Sequence, residues 1–134
     1  MSQDNVERIR ESVEALNRGD VDAAFDLIHP DAEWETLDLF PDAGTYRGAE
    51  GVREFFRTWW DAFPGLQLHL GECAAVGDDQ VIAALRVSGE GAESGAGVQS
   101  PEFFQLFESR DGQLIRARMF QTKAEALEAA RLRD

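Results

Sequence analysis

The sequence has little of what many functions require. Cys73 is its only cysteine, so no internal disulfide can form, and a reducing interior suits the chain. There are two histidines, His29 and His69, and they stand far apart in the pattern. No His/Asp/Glu spacing suggests a metal site, so neither a metal nor a cofactor is expected. Cations are scarce: 13 Lys and Arg stand against 26 Asp and Glu, a formal net charge of -13. Phosphate recognition needs clustered Lys and Arg, which argues against nucleic acid as a partner. An anionic membrane surface is disfavoured for the same reason, and the acid excess reads as solubility. No apolar run approaches the ~20 residues of a membrane span, and "MSQDNVERIR" carries no apolar signal segment. A soluble, cytoplasmic protein is expected.

What the chain does have is core-forming material. Of 134 residues, 43% are hydrophobic, including nine Phe and three Trp. That supports one domain around one core. Val6, Ile9, Val13 and Leu16 are spaced three and four apart, which predicts a first helix over "NVERIRESVEALN". Asn17 and Gly19 end it, and Asp20 is placed to cap a short second helix carrying Val21, Ala24, Phe25 and Ile28. Pro30 is expected to stop that helix, with His29 at its C-terminal end. "AEWET" alternates and predicts a strand with Ala32, Trp34 and Thr36 on one face and Glu33 and Glu35 on the other. "LDLFPDAGTYRG" reads as a loop. Val52, Phe55, Phe56, Trp59 and Phe63 form the broad apolar face of a third helix.

The second half changes period. "LQLHLGECAAV" and "QVIAALRVSGEG" alternate as strands around the turn "GDD". "VQSPEFFQLFES" and "QLIRARMFQ" pair across "RDG". A last helix follows Thr122. Its "TKAE" is a capping-box pattern, in which Thr122 and Glu125 satisfy each other's amides. The glycines at 89, 91, 95 and 97 sit in no strand-to-helix unit and make no phosphate loop. The order of elements predicts an α+β fold: three N-terminal helices wrapped by a strongly curved antiparallel sheet, then a short C-terminal helix. Such a cone leaves a cavity at its open end.

Three stretches together carry a resemblance: "LNRGDVDAAFDLIHPDAEWE", "YRGAEGVREFFRTW" and "RDGQLIRARMFQTKAEALEAA". The chain resembles the nuclear transport factor 2-like superfamily, and more narrowly the SnoaL-like group of polyketide-cyclase relatives, over roughly Val6 to Leu132. The resemblance implies the cone fold with its chemistry inside. It implies little about the reaction, because the fold hosts isomerases, cyclases, hydrolases, adaptors and binders. In SnoaL-like cyclases an Asp near the end of the last strand acts as acid/base, within "REYxD". Here Arg118 keeps the Arg, Met119 and Phe120 replace Glu and Tyr, and Thr122 replaces the Asp. A His on the preceding strand is matched by Gln105 in "FFQLF". Neither Thr nor Gln titrates near neutrality. In the ketosteroid isomerase branch the base position falls on Thr36, with Glu35 and Asp38 nearby, and the donor Tyr falls near Ser12. The Asp-Arg-Asp set of epoxide hydrolase relatives finds Arg86, Arg116 and Arg118 but no interior Asp.

The leading expectation is therefore a homodimeric binding domain for a small apolar or aromatic molecule. Trp34, Tyr46, Trp59, Phe63, Gln105, Phe107, Arg118 and Phe120 are its candidate contacts. Gln105 shares a strand face with Phe103 and Phe107, and an amide there needs a partner, either Arg118, water or ligand. Arg118 and Phe120 share a face of the last strand, and Glu35 or Asp38 could pair with the Arg. The alternatives are an isomerase, cyclase or hydrolase with Glu35 or Asp38 as base, and a protein-interaction adaptor. Dimerisation is expected because Ile82, Ala84, Phe104 and Leu106 make the outer sheet face apolar as well.

Overall fold

The computed structural model describes residues 2–35, 45–62, 65–90, 97–99 and 102–131. Helix α1 (Ser2–Asn17) turns Val6, Ile9, Val13 and Leu16 inward, and all four are buried. Its end is a Schellman motif: the Asp20 amide donates to Ala15 O at 2.9 Å and the Gly19 amide to Leu16 O at 3.0 Å. Gly19 takes φ 82 there, a conformation that favours glycine. Helix α2 (Val21–Phe25) follows at once, its Ala23 amide donating to Asp20 Oδ1 at 3.2 Å.

The next element corrects an expectation. Strand β1 (Ile28–Glu35) starts four residues before Ala32, so Ile28, His29 and Pro30 belong to a strand and not to a helix end. The reason is a long-range partner that local pattern does not show. The Leu114 amide donates to Leu27 O at 2.8 Å, and Ile28 pairs in parallel with Leu114. The ladder is irregular between Ile28 and Glu33, which is where Pro30 stands without an N–H to give. His29 Nδ1 accepts from the Asp31 amide at 3.0 Å, a local contact and not a helix cap.

Strand β2 (Thr45–Arg47) lies within the expected loop and pairs antiparallel with β1, Tyr46 facing Trp34 in register. Helix α3 (Gly48–Ala62) buries Val52 and Phe55. Then come β3 (Gln67–Val76), β4 (Gln80–Glu90), β5 (Gly97–Gln99), β6 (Phe103–Arg110) and β7 (Gln113–Phe120), and finally α4 (Lys123–Arg131). The expected single strand "VQSPEFFQLFES" is two strands, β5 and β6, which share one edge of β4 with a one-residue change of register. Pro101, which has no N–H for a ladder, lies between them. The sheet is curved and open, in the order β2-β1-β7-β6-β4-β3 with β5 off that path on β4. At "RDG" both Asp111 (φ 52) and Gly112 (φ 82) are left-handed, which suits the tight hairpin joining β6 to β7.

Register decides which side chains look inward. Val81, Ala83 and Leu85 on β4 stand opposite Phe107, Gln105 and Phe103 on β6. Gln105 and Phe107 in turn stand opposite Met119 and Ala117 on β7. Trp34 is level with Ala117. These residues form the inner face, against α1 and α3. On β3 an irregularity between Leu70 and Cys73 keeps both packed against the core. The outer face of β4, β6 and β7 is covered by α4: Ala126 and Ala130 pack on Ile82, Leu106, Phe104 and Phe120. The apolar outer face that suggested a dimer is thus covered in part from within the chain.

Candidate functional site

The inner face and the helices do not fully meet. Between them lies a cavity that opens to solvent at its mouth. Helix α1 contributes Ile9, Ser12, Val13 and Leu16 to its wall, and α3 contributes Phe55 and Phe56. From the sheet come Ile28, Trp34, Leu68, Leu85, Val87, Phe103, Gln105, Phe107, Leu114 and Met119, with Ala24 and Leu66 closing it. None of these side chains ionises near neutrality. The polar groups on the wall are the Ser12 hydroxyl, the Trp34 indole N–H and the Gln105 amide.

The aromatics are packed edge to face, which fixes their positions. Trp34 meets Phe56 with centroids 5.6 Å apart and Phe107 at 5.9 Å. Phe55 meets Phe56 at 5.3 Å. Trp34 is 5% exposed and Gln105 4%. Neither Trp34 Nε1 nor Gln105 Nε2 has a hydrogen-bond partner among the described residues. A donor buried without an acceptor costs on the order of 1–3 kcal/mol. The lining suits a flat apolar molecule, and the two unpartnered nitrogens are themselves sealed within the packing. It offers no described group that exchanges a proton.

The sequence candidates divide. Trp34, Gln105 and Phe107 line the cavity. Tyr46 does not: it stacks against Phe55 at 4.9 Å, behind the wall, because β2 sits on the far edge of β1. Arg118 and Phe120 were expected inside with Gln105, but they lie on the opposite sheet face. The cause is register: Gln105 faces Met119, so the side chains on either side of Met119 point outward. Arg118 pairs there with Glu108 at 3.2 Å, not with Gln105 or Glu35, and its guanidinium lies 5.9 Å from the Phe120 ring centre. Glu35 alternates with Trp34 along β1 and does not line the cavity. Asp38 and Phe63 lie outside the described residues, and so does the side chain of Trp59 on α3.

Thr122 is at the N-terminus of α4, exposed and away from the cavity. Its Oγ1 accepts from the Glu125 amide at 3.1 Å, and its own amide donates to Glu125 Oε1 at 3.2 Å. This is the reciprocal capping box. Cys73 does not line the cavity either; burial pushes its thiol pKa up, and the Arg10 charge offsets this only in part. Among the described residues no group of His, Cys, Asp and Glu is placed to hold a metal ion. No described helix is long and apolar enough to cross a membrane.

Sequence reasoning missed most of the cavity wall. Leu85 and Val87 were legible as one face of an alternating strand, whereas Met119 alternates with Arg118 and Phe120, which were the ones expected inside. Ser12 was noted only because it aligns with the isomerase donor.

Comparison with known proteins agrees with this architecture. No curated protein matches the sequence. Bal32a, from a soil-derived mobile gene cassette, superposes with a TM-score of 0.81 at 23% identity, covering 96% of each chain. A nuclear transport factor 2-like protein from Burkholderia thailandensis gives 0.75 at 26% identity, covering 91% of this chain and 95% of its own. TerC, crystallised with polyporic acid, gives 0.75 at 23%, covering 93% and 96%. The profile of the SnoaL-like domain matches residues 9–117, most of the chain from the middle of α1 to the middle of β7. With the curved open sheet, its parallel first strand and the interior cavity in place, that match establishes that the chain belongs to the SnoaL-like domain family.

Proposed function

We propose that this chain is a small-molecule-binding domain that takes an apolar or aromatic ligand into the cavity between α1, α3 and the sheet, and that it lacks the acid–base chemistry of SnoaL-like cyclases. One observation carries the reading: the described cavity wall is apolar and aromatic, and no side chain on it ionises near neutrality. That is the make-up of a small-molecule site with a few orienting polar groups. General acid–base catalysis needs a titratable group within hydrogen-bond reach of the reacting atom. Two further placements support the binding role. Thr122, at the position matched to the family's Asp, is exposed and engaged with Glu125. Glu35 does not line the cavity.

The test uses tetralin, a neutral fused bicycle, as probe. The wild-type chain should bind it with saturation, read by the Met119 methyl resonance. Ser12 is half-buried on the wall, so Ser12→Phe fills the cavity from α1. That variant should keep its circular dichroism spectrum and lose at least tenfold in affinity. No saturable shift in the wild type, or equal binding by Ser12→Phe, rejects the cavity as the site.

A further inference from the structure

The described cavity wall lacks cations as well as acids. None of the described Lys or Arg side chains lines it. On α3, which forms part of the wall, Arg53 is held by Asp22 at 2.7 Å and Arg57 by Glu54 at 3.4 Å. The segments 36–44, 59–64 and 91–96, whose side chains lie outside the described residues, contain Asp38, Asp42, Asp61 and Glu93 and no Lys or Arg. Their composition offers nothing that neutralises an anion. In the whole chain, carboxylates outnumber cations 26 to 13. The resulting field repels an anion before contact.

Hydrogen bonds do not make up for the missing charge. Trp34 Nε1 and Gln105 Nε2 are sealed within the packing and do not reach the open volume. The Ser12 hydroxyl is the side-chain donor that remains on the described wall. One neutral donor is a poor exchange for the hydration shell of a carboxylate. A hydroxyl also accepts, so Ser12 sets no preference between a donor and an acceptor on the ligand. What the wall does decide is charge. An anion moved against it loses water and gains no cation, and a group so placed takes up a proton instead of staying charged.

We infer that the cavity selects by charge: it holds ring compounds without an anionic group, turns away carboxylates and phosphates, and takes a carboxylic acid only in its protonated form. This rests on the binding role proposed above and adds the ligand's charge class. It also fixes the sign of a pH dependence. A carboxylic acid in water has its pKa at about 4. Only the protonated fraction enters, so above that pH its affinity falls about tenfold for each unit of pH. A neutral ligand of the same shape has no such slope. No described wall side chain, on α1, α3 or the sheet, titrates in that range to create one.

The experiment compares tetralin-2-carboxylic acid with 2-acetyltetralin, in which a methyl group takes the place of the carboxylate oxygen. Each is titrated into the full chain beside tetralin, with affinity read from the Met119 methyl resonance. At about pH 7 the ketone should saturate, and the acid should bind at least a hundredfold more weakly. Between about pH 7 and pH 5.5 the acid should gain at least tenfold while the ketone stays constant. The gap should persist in roughly 0.5 M salt, because salt screens the surface field and not the loss of water from a buried charge. Acid binding within tenfold of the ketone at neutral pH, or acid affinity that is flat with pH, overturns the inference and leaves the cavity as a binding site. A gap that closes in salt places the discrimination in the surface field and also overturns it. Binding of tetralin without the ketone makes size, not charge, the limit, with the same result. If tetralin and the ketone both fail to saturate up to millimolar concentration, the binding reading fails and this inference with it.

Discussion

At the scale of single residues, the chain separates cap from chemistry at Thr122. The hydroxyl accepts from the Glu125 amide and also donates to Glu125 Oε1 at 3.1 Å, so both of its hydrogen-bonding roles are occupied at the helix start. Thr122→Ala removes the cap and should lower stability by ~1 kcal/mol in urea denaturation. Thr122→Asp should restore most of the loss, because a carboxylate caps as well. Neither change should alter tetralin affinity, since Thr122 does not line the cavity. A Thr122→Ala variant of unchanged stability but altered binding would contradict that assignment. This cap was legible in the sequence because "TKAE" is local: four consecutive residues suffice to define it. The inward placement of Gln105 was legible in part. Alternation put it with Phe103 and Phe107, but the face shared with β7 depended on pairing. A shift of one residue in that pairing separates Met119 inside from Arg118 and Phe120 outside.

At the scale of elements, the helix–sheet junctions set the cavity's walls. The Asn17 side chain, at the end of α1, acts like one residue of an extra strand. Its Nδ2 donates to Leu68 O at 2.9 Å, and its Oδ1 accepts from the Leu68 amide at 2.8 Å. This pins α1 to β3, the edge strand, beside Leu68, which lines the cavity. Asn17→Ala removes both bonds and should cost about 1–2 kcal/mol. Amide exchange at Leu68 should accelerate more than at Ile82 or Leu106 in the sheet centre; uniform acceleration would mean that the junction is not a local anchor. The helices α1 and α3 and the strands β3, β4, β6 and β7 were readable, because their apolar periods are long and unbroken. The start of β1 and all of β2 were not. Their strand character comes from partners distant in sequence, Leu114 for the first and Trp34 for the second. "TYR" alone has no period, and "IHPD" contains a proline that argues for a stop.

At the scale of the whole molecule, two features bear on association. The apolar outer patch that suggested a dimer is covered by α4, so Ile82 and Leu106 no longer call for a partner. Among the described residues, Leu127 is the exposed large hydrophobe. The homodimer nonetheless stands as our proposal on different ground. Strand β3 ends the sheet, spans ten residues, and presents exposed His69, Gly71, Glu72, Ala74 and Ala75. A long, open edge of this kind is a surface on which a second copy can pair. Sedimentation velocity at micromolar concentration should give a dimer, and a single monomer boundary would remove the proposal. In the function proposed above, the apolar cavity, without a described ionisable wall residue, is where this member of the SnoaL-like family holds a ligand. The most direct measurement is the set of intermolecular nuclear Overhauser effects between the aromatic protons of bound tetralin and the protein's methyl groups. Contacts are expected to Val13, Leu85 and Met119, which line the cavity from α1, β4 and β7. Contacts confined to surface methyls such as those of Leu127, with the interior methyls silent at saturation, would contradict it.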